Sequence, residues 1–132
     1  MRRMLDTNIC VYLIKKKPPT VIRRLVSLRI SDVCLSSVTL AELEYGVAKS
    51  QRPEQNRWAL TEFLAPLDIL PFDDAAARIY GILRRDLEKA GKPIGSMDML
   101  IAAHALATGT VLVTNNADEL RQVRSLALEN WV

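Results

Sequence analysis

A chain of 132 residues that is 49% hydrophobic and 25% charged, with 5 Gly and 6 Pro, has the composition of a soluble globular protein and excludes a disordered or fibrous one. No apolar run approaches the ~20 residues of a membrane span, and Met1-Arg2-Arg3-Met4-Leu5-Asp6 meets an acid before a signal-peptide core could form, so a single domain over residues 1–132, resident in the cytoplasm, is expected. The formal charge is +3, from 18 Lys and Arg against 15 Asp and Glu, and the two cysteines, Cys10 and Cys34, have no metal or disulfide spacing and read as buried free thiols.

Met4-Leu5 is a short apolar run ending in Asp6, after which Ile9, Val11, Tyr12 and Leu13 resume with helical spacing. This predicts a buried strand, a sharp turn and a helix. Asp6 then stands at the carboxyl edge of the strand, where ligands bind in open α/β sheets. Asp6 or Asn8 can also cap the helix, since short polar side chains satisfy its first free N–H groups. Lys15-Lys16-Lys17-Pro18-Pro19 breaks the pattern, because neither proline can continue a helix. Thr20 is expected to cap a second helix with Val21, Ile22, Leu25, Val26 and Leu28 on its apolar side, and Val33-Cys34-Leu35 forms a second strand.

Thr39-Leu40-Ala41-Glu42 fits a capping box opening the next helix, in which Thr39 and Glu42 serve each other's backbone N–H groups. Gln51 to Glu54 punctuates the chain, a helix carries Trp58, Leu60, Phe63 and Leu64, and Leu67 to Leu70 is a third strand. Asp73 and Asp74 open the longest helix, with Ala76, Ile79, Leu83 and Leu87 on one face, and Gly91 ends it. Ser96 is expected to cap a helix over Met97 to Ala107, apolar nearly all round and therefore central, with Asp98 in its first turn. Thr110 to Val113 is a fourth strand, Thr114-Asn115-Asn116-Ala117-Asp118-Glu119 follows at its carboxyl end, and Leu126 to Leu128 is a last strand. Helices between short apolar strands predict an α/β fold in three layers, a mainly parallel central sheet flanked by helices.

Acids then recur at four equivalent places. Asp6 follows the first strand, Glu42 begins the helix after the second, Asp98 begins a helix, and Asp118 and Glu119 follow the fourth strand. Each could be a cap, but together they occupy one rim. Carboxylates brought together without a cation would force one to stay protonated. Hard ions such as Mg²⁺ or Mn²⁺ take oxygen ligands and can activate a water, orient attack on phosphorus and stabilise the leaving oxygen. Five candidate acids (Asp6, Glu42, Asp98, Asp118, Glu119) sequestered there would leave 10 acids against 18 basic residues elsewhere. A basic exterior around an acidic cleft suits a phosphate-bearing polymer.

The motifs Met4-Leu5-Asp6-Thr7-Asn8, Ser37-Val38-Thr39-Leu40-Ala41-Glu42-Leu43, Ile94 to Ala105, Leu112-Val113-Thr114-Asn115-Asn116 and Leu126 to Trp131, in this order over essentially the whole chain, resemble the PIN-domain ribonucleases, and in particular the VapC-type toxins of bacterial toxin–antitoxin pairs. The resemblance implies a single PIN domain, Mg²⁺- or Mn²⁺-dependent cleavage of RNA such as transfer RNA, and a homodimeric toxin. It also implies inhibition by a VapB-type antitoxin whose C-terminal segment fills the toxin groove, with DNA contacted only through the antitoxin. Position by position, the family's catalytic acids fall on Asp6, Glu42 and Asp98. Many PIN domains carry a further Asp two residues after the Thr that ends the fourth strand, where this chain has Asn116; Asp118 or Glu119 could take over, or Asn116 could hold a metal-bound water. Asn8, Ser96 and Thr114 are expected to hydrogen-bond the ligating acids.

His104, the only histidine, lies six residues after Asp98, about 240° around the helix, and is expected to pack. A flavodoxin-like nucleotide or phosphoacceptor module fits poorly, since there is no Gly-rich phosphate loop and no second acid beside Asp6. The alternative that remains is a catalytically inactive PIN scaffold that binds RNA or protein. Lys15 to Lys17, Arg84, Arg85, Lys92, Arg121 and Arg124 are the candidate basic rim. With 2 Trp, 3 Tyr and 2 Phe, extensive base stacking is not expected.

Overall fold

Parallel strands need cover on both faces, and the short apolar runs of this chain meet that need. In the computed structural model, which describes residues 1–132, strands β1 (Arg3–Leu5), β2 (Val33–Ser36), β3 (Asp68–Leu70), β4 (Val111–Val113) and β5 (Leu128–Glu129) form one sheet in the order β3-β2-β1-β4-β5, with every neighbouring pair parallel. Seven helices connect and cover it: α1 (Thr7–Lys15), α2 (Pro19–Val26), α3 (Ser37–Lys49), α4 (Pro53–Leu64), α5 (Asp74–Lys89), α6 (Ser96–Thr108) and α7 (Ala117–Leu120). No helix is long and apolar enough to cross a membrane.

Side chains alternate across the sheet, so even fully buried strands have two faces. Met4, Cys34 and Leu112 join Leu83, Leu87, Met99 and Ile101 in a core beneath α5 and α6. Leu5, Val33, Leu35 and Val113 point the other way, against Ile9, Leu13, Leu43 and Leu60 of α1, α3 and α4. Burying each such side chain contributes ~1.5–3 kcal/mol before entropy is charged against it. Cys10 and Cys34 are free and buried, as expected, and burial holds both thiols above their ordinary pKa. The strand order reverses between β1 and β4, because the chain winds outward through β2 and β3 and then returns to the other side of β1. The carboxyl ends of β1 and β4 therefore form the topological switch point, where an open α/β sheet leaves a crevice.

Several helix starts differ from the sequence expectation. Thr20 does not cap α2: Pro18 takes the cap position and Pro19 the first helical one, where a missing N–H costs nothing. The Thr39–Glu42 capping box does not form. Ser36 caps α3 instead, its hydroxyl accepting from Val38 N–H at 3.0 Å, so Thr39 lies inside the helix, fully buried. Ser96 is the first residue of α6 and not its cap, which is Gly95. The last strand is shifted from Leu126–Leu128 to Leu128–Glu129, in register with Leu112 and Val113 of β4. Asp73 does cap α5, accepting from Ala76 N–H at 3.0 Å, and Gly109 ends α6 in the left-handed conformation that a glycine adopts without strain.

Candidate functional site

The end of β1 delivers Asp6 straight into the crevice. Its backbone N–H extends the ladder to Val113 O at 3.0 Å, and its side chain turns inward, only 5% exposed. One carboxylate oxygen caps α1, accepting from Ile9 N–H at 2.9 Å, and the Thr114 hydroxyl at the end of β4 lies beside the carboxylate and favours its charged form. The cap and the rim position, alternatives on local grounds, are both occupied by this one side chain. Burial pushes the Asp6 pKa up to about 6, against the opposing effect of these two donors, and the charges of Asp98 and Glu42 push the same way.

Glu42 reaches the rim from the second turn of α3, because the helix is capped by Ser36, three residues before the expected Thr39. Its carboxylate accepts from the Thr7 hydroxyl at 2.5 Å. Asp98, in the first turn of α6, is half-buried. Burial raises its pKa, and so do the charges of Glu119 and Glu42, while a hydrogen bond from Asn116 opposes them. Asn116 Nδ2 donates to Asp98 Oδ2 at 3.0 Å and to Glu119 Oε2 at 2.9 Å, and Gly95 N–H donates to Glu119 Oε1 at 3.3 Å. Asp6, Glu42, Asp98 and Glu119 thus form one carboxylate cluster, held by Thr7, Thr114, Asn116 and two backbone N–H groups.

Three sequence expectations do not match this geometry. Asp118 points out of the crevice, its side chain 91% exposed and paired with Arg121 at 2.5 Å, because one residue along a helix is a 100° rotation from Glu119. Asn8 is exposed and donates to Asn115 Oδ1 at 3.4 Å, not to a carboxylate; Asn115 in turn donates to the Tyr12 hydroxyl at 3.0 Å. Ser96 is exposed and bonds none of the acids. Thr114 lies beside Asp6, and the Thr7 hydroxyl, absent from the sequence expectation, bonds Glu42. His104 packs, 1% exposed, with Nδ1 at 2.7 Å from the Ser36 hydroxyl and its ring edge-on to Phe72; burial lowers its pKa.

None of the seven ion pairs in the chain includes Asp6, Glu42, Asp98 or Glu119. The cluster is a hard-oxygen donor set without a protein cation, the chemistry that a divalent metal satisfies. No group of three or more His, Cys, Asp or Glu side chains is placed to hold a metal ion by itself. Mg²⁺ commonly uses one or two carboxylates and takes its other ligands from water and substrate phosphate, so two of these acids suffice as its protein donors. Beside Glu42 a groove of about 510 Å³ runs between α1, α3 and α4, with Val11, Ile14 and Leu60 along its floor and Lys15 and Lys49 at its edge. Lys49, which also lies over the Tyr45 ring, was not among the expected basic rim residues. Of those that were, Arg84, Arg85 and Arg121 are tied up in ion pairs with Glu88, Asp86 and Asp118.

Comparison with known proteins places this geometry among relatives. The family profile described as "PIN domain" matches residues 3–126. A tRNA(fMet)-specific endonuclease VapC of Shigella flexneri is 44% identical over 131 residues, covering 99% of this chain and 98% of that protein. Ribonuclease VapC2 of Rickettsia felis is 47% identical over 129 residues, covering 97% and 96%. Among solved structures, VapBC2 of Rickettsia felis bound to a promoter DNA fragment superposes with a TM-score of 0.94 at 46% identity over the full length of both chains. DNA-bound VapBC of Salmonella typhimurium superposes with a TM-score of 0.94 at 41% identity, over 100% of this chain and 99% of that one.

Proposed function

This chain belongs to the PIN-domain family, among its VapC ribonucleases, and from that premise we propose that it is an Mg²⁺- or Mn²⁺-dependent endoribonuclease toxin held in check by a VapB-type antitoxin. The observation that carries the metal dependence is the cluster of Asp6, Glu42, Asp98 and Glu119 on the switch-point rim, with no Lys or Arg paired to any of them. One or two of these carboxylates, Asp6 and Asp98 first among them, would hold the ion, which when bound supplies activation of water and charge neutralisation at the scissile phosphate. Ile9 N–H fixes the Asp6 carboxylate and Thr7 orients Glu42, so their donor oxygens are set before substrate arrives. Lys15 and Lys49 border the groove that opens from Glu42 and give an RNA backbone its electrostatic path to the acids. The same groove has an apolar floor that suits the C-terminal segment of the antitoxin.

The substrate we propose is a structured RNA such as transfer RNA, with initiator tRNA the first to test, as the name of the Shigella flexneri relative indicates. The toxin is proposed to act as a homodimer and to meet DNA only through its antitoxin. The deciding experiment incubates the purified protein with tRNA and Mn²⁺. Cleavage is expected, abolished by EDTA and restored by excess Mn²⁺, and Asp6→Asn is expected to slow it at least about a hundredfold. Tight RNA binding without cleavage would establish the inactive scaffold instead.

A further inference from the structure

We propose that Asn116 is a positioning residue, an amide that spaces Asp98 and Glu119 through its two N–H groups, and not a metal ligand; the inference rests on the metal-dependent reading of the same site. A carboxamide carries two donor hydrogens on nitrogen and one acceptor oxygen. Both donors of Asn116 are spent, one on Asp98 at 3.0 Å and one on Glu119 at 2.9 Å. The orientation of an amide is assigned from its surroundings, and here they allow one choice, because turning Oδ1 toward two carboxylates would set three oxygens against one another. With Nδ2 facing both acids, the amide presents them with donors and no metal-binding oxygen.

The backbone of Asn116 is anchored too. Its N–H donates to Thr114 Oγ1 at 2.9 Å, its carbonyl accepts from Leu120 N–H at 3.2 Å, and it caps α7, which carries Glu119. Asn116 is therefore bonded to two of the four acids by its side chain and anchored by its backbone to Thr114, which lies beside Asp6. An Asp in its place would keep the shape, lose both donors and add a third like charge.

The test is a double-mutant cycle on the full-length protein, read as melting temperature without metal at pH 7.5, with Mn²⁺ affinity measured by calorimetry in the absence of RNA. Asn116→Asp is expected to lower the metal-free Tm by about 5 °C. Combining it with Glu119→Gln, which exchanges amide and carboxylate between the two positions, is expected to recover most of that loss. Asn116→Ala is expected to weaken Mn²⁺ binding about tenfold, as removal of a group that orients a ligand does. An unchanged Tm for Asn116→Asp, or a double variant equal to the sum of the singles, overturns the proposal, as does Asn116→Asp binding Mn²⁺ as tightly as the wild type with no loss of metal-free stability. Failure of the wild type to bind Mn²⁺ counts against the metal reading alone, and the metal-free cycle still decides the role of Asn116.

Discussion

Asp6 shows most directly how a buried carboxylate lowers the stability of the fold that holds it. In the folded, metal-free protein it keeps its proton up to about pH 6, whereas in the unfolded chain it releases it near 3.8. Between those values the folded state binds more protons, so stability falls as pH rises through the window, and the full penalty is present above pH 6. A shift of about two pH units corresponds to ~3 kcal/mol. Asp6→Asn keeps an acceptor for Ile9 N–H and removes the buried charge. It is expected to raise the metal-free Tm at pH 7.5, with the advantage fading as pH falls toward 4, where the wild-type acid is also neutral; a pH series of melts on both proteins checks this. The variant that gains stability is the one expected to lose cleavage. At the same scale, Asp6, Glu42 and Asp98 could be picked out of the sequence because each follows or begins an element at the same edge. Asp118 and Glu119 could not be told apart, since adjacent residues on a helix differ only by a rotation that its docking decides.

Among the helices whose starts the sequence misplaces, α3 is the one that moves a candidate acid, and the reason is physical. Ser36, Ser37 and Thr39 can all cap a helix, and local chemistry does not rank them. The choice is made by a distant residue: His104 on α6 holds the Ser36 hydroxyl at 2.7 Å, while Ser37 Oγ is engaged by Phe72 N–H at 2.9 Å. The earlier start puts Glu42 a turn deeper into the helix, away from the backbone N–H groups that a capping box would have it satisfy. It also leaves Thr39 Oγ1 buried without a hydrogen-bond partner. Thr39→Val removes that hydroxyl at nearly constant shape and is expected to stabilise by ~1 kcal/mol, since an unmatched buried polar group costs about 1–3. Ser36→Ala removes a cap and leaves His104 without its partner, and a loss of ~2–4 kcal/mol is expected. Urea melts of the two variants should therefore move in opposite directions, and a Thr39→Val protein weaker than wild type would contradict the unmatched hydroxyl. The strands were easier to read because apolar runs bounded by polar residues have few alternatives, although the register of β5 waited on β4.

At the scale of the whole molecule, the +3 charge is divided into two fields. Four acids are gathered without counter-ions in the crevice, and six acids outside it are paired to seven arginines, so the unpaired cations are the six lysines together with Arg23, Arg29, Arg52, Arg78 and Arg124. Arg84, Arg85 and Arg121 looked available in the sequence because an ion pair three or four residues away, or next door, cannot be distinguished there from a free side chain. Lys15 and Lys49 lie 34 positions apart and become neighbours only once α1 and α3 pack beside each other. If they carry the RNA backbone toward the acids, each neutralises about one phosphate and contributes about 0.7 to 0.9 to the slope of log affinity against log salt. Lys15→Ala with Lys49→Ala is therefore expected to weaken RNA binding and to flatten that slope by about 1.4 to 1.8, while Mn²⁺ affinity stays at the wild-type value. The measurement is RNA binding by the Asp6→Asn background over a salt series, with and without the two substitutions. An unchanged slope would place the RNA on another face, and an equal loss of Mn²⁺ binding would mean that the lysines act on the acids rather than on the substrate.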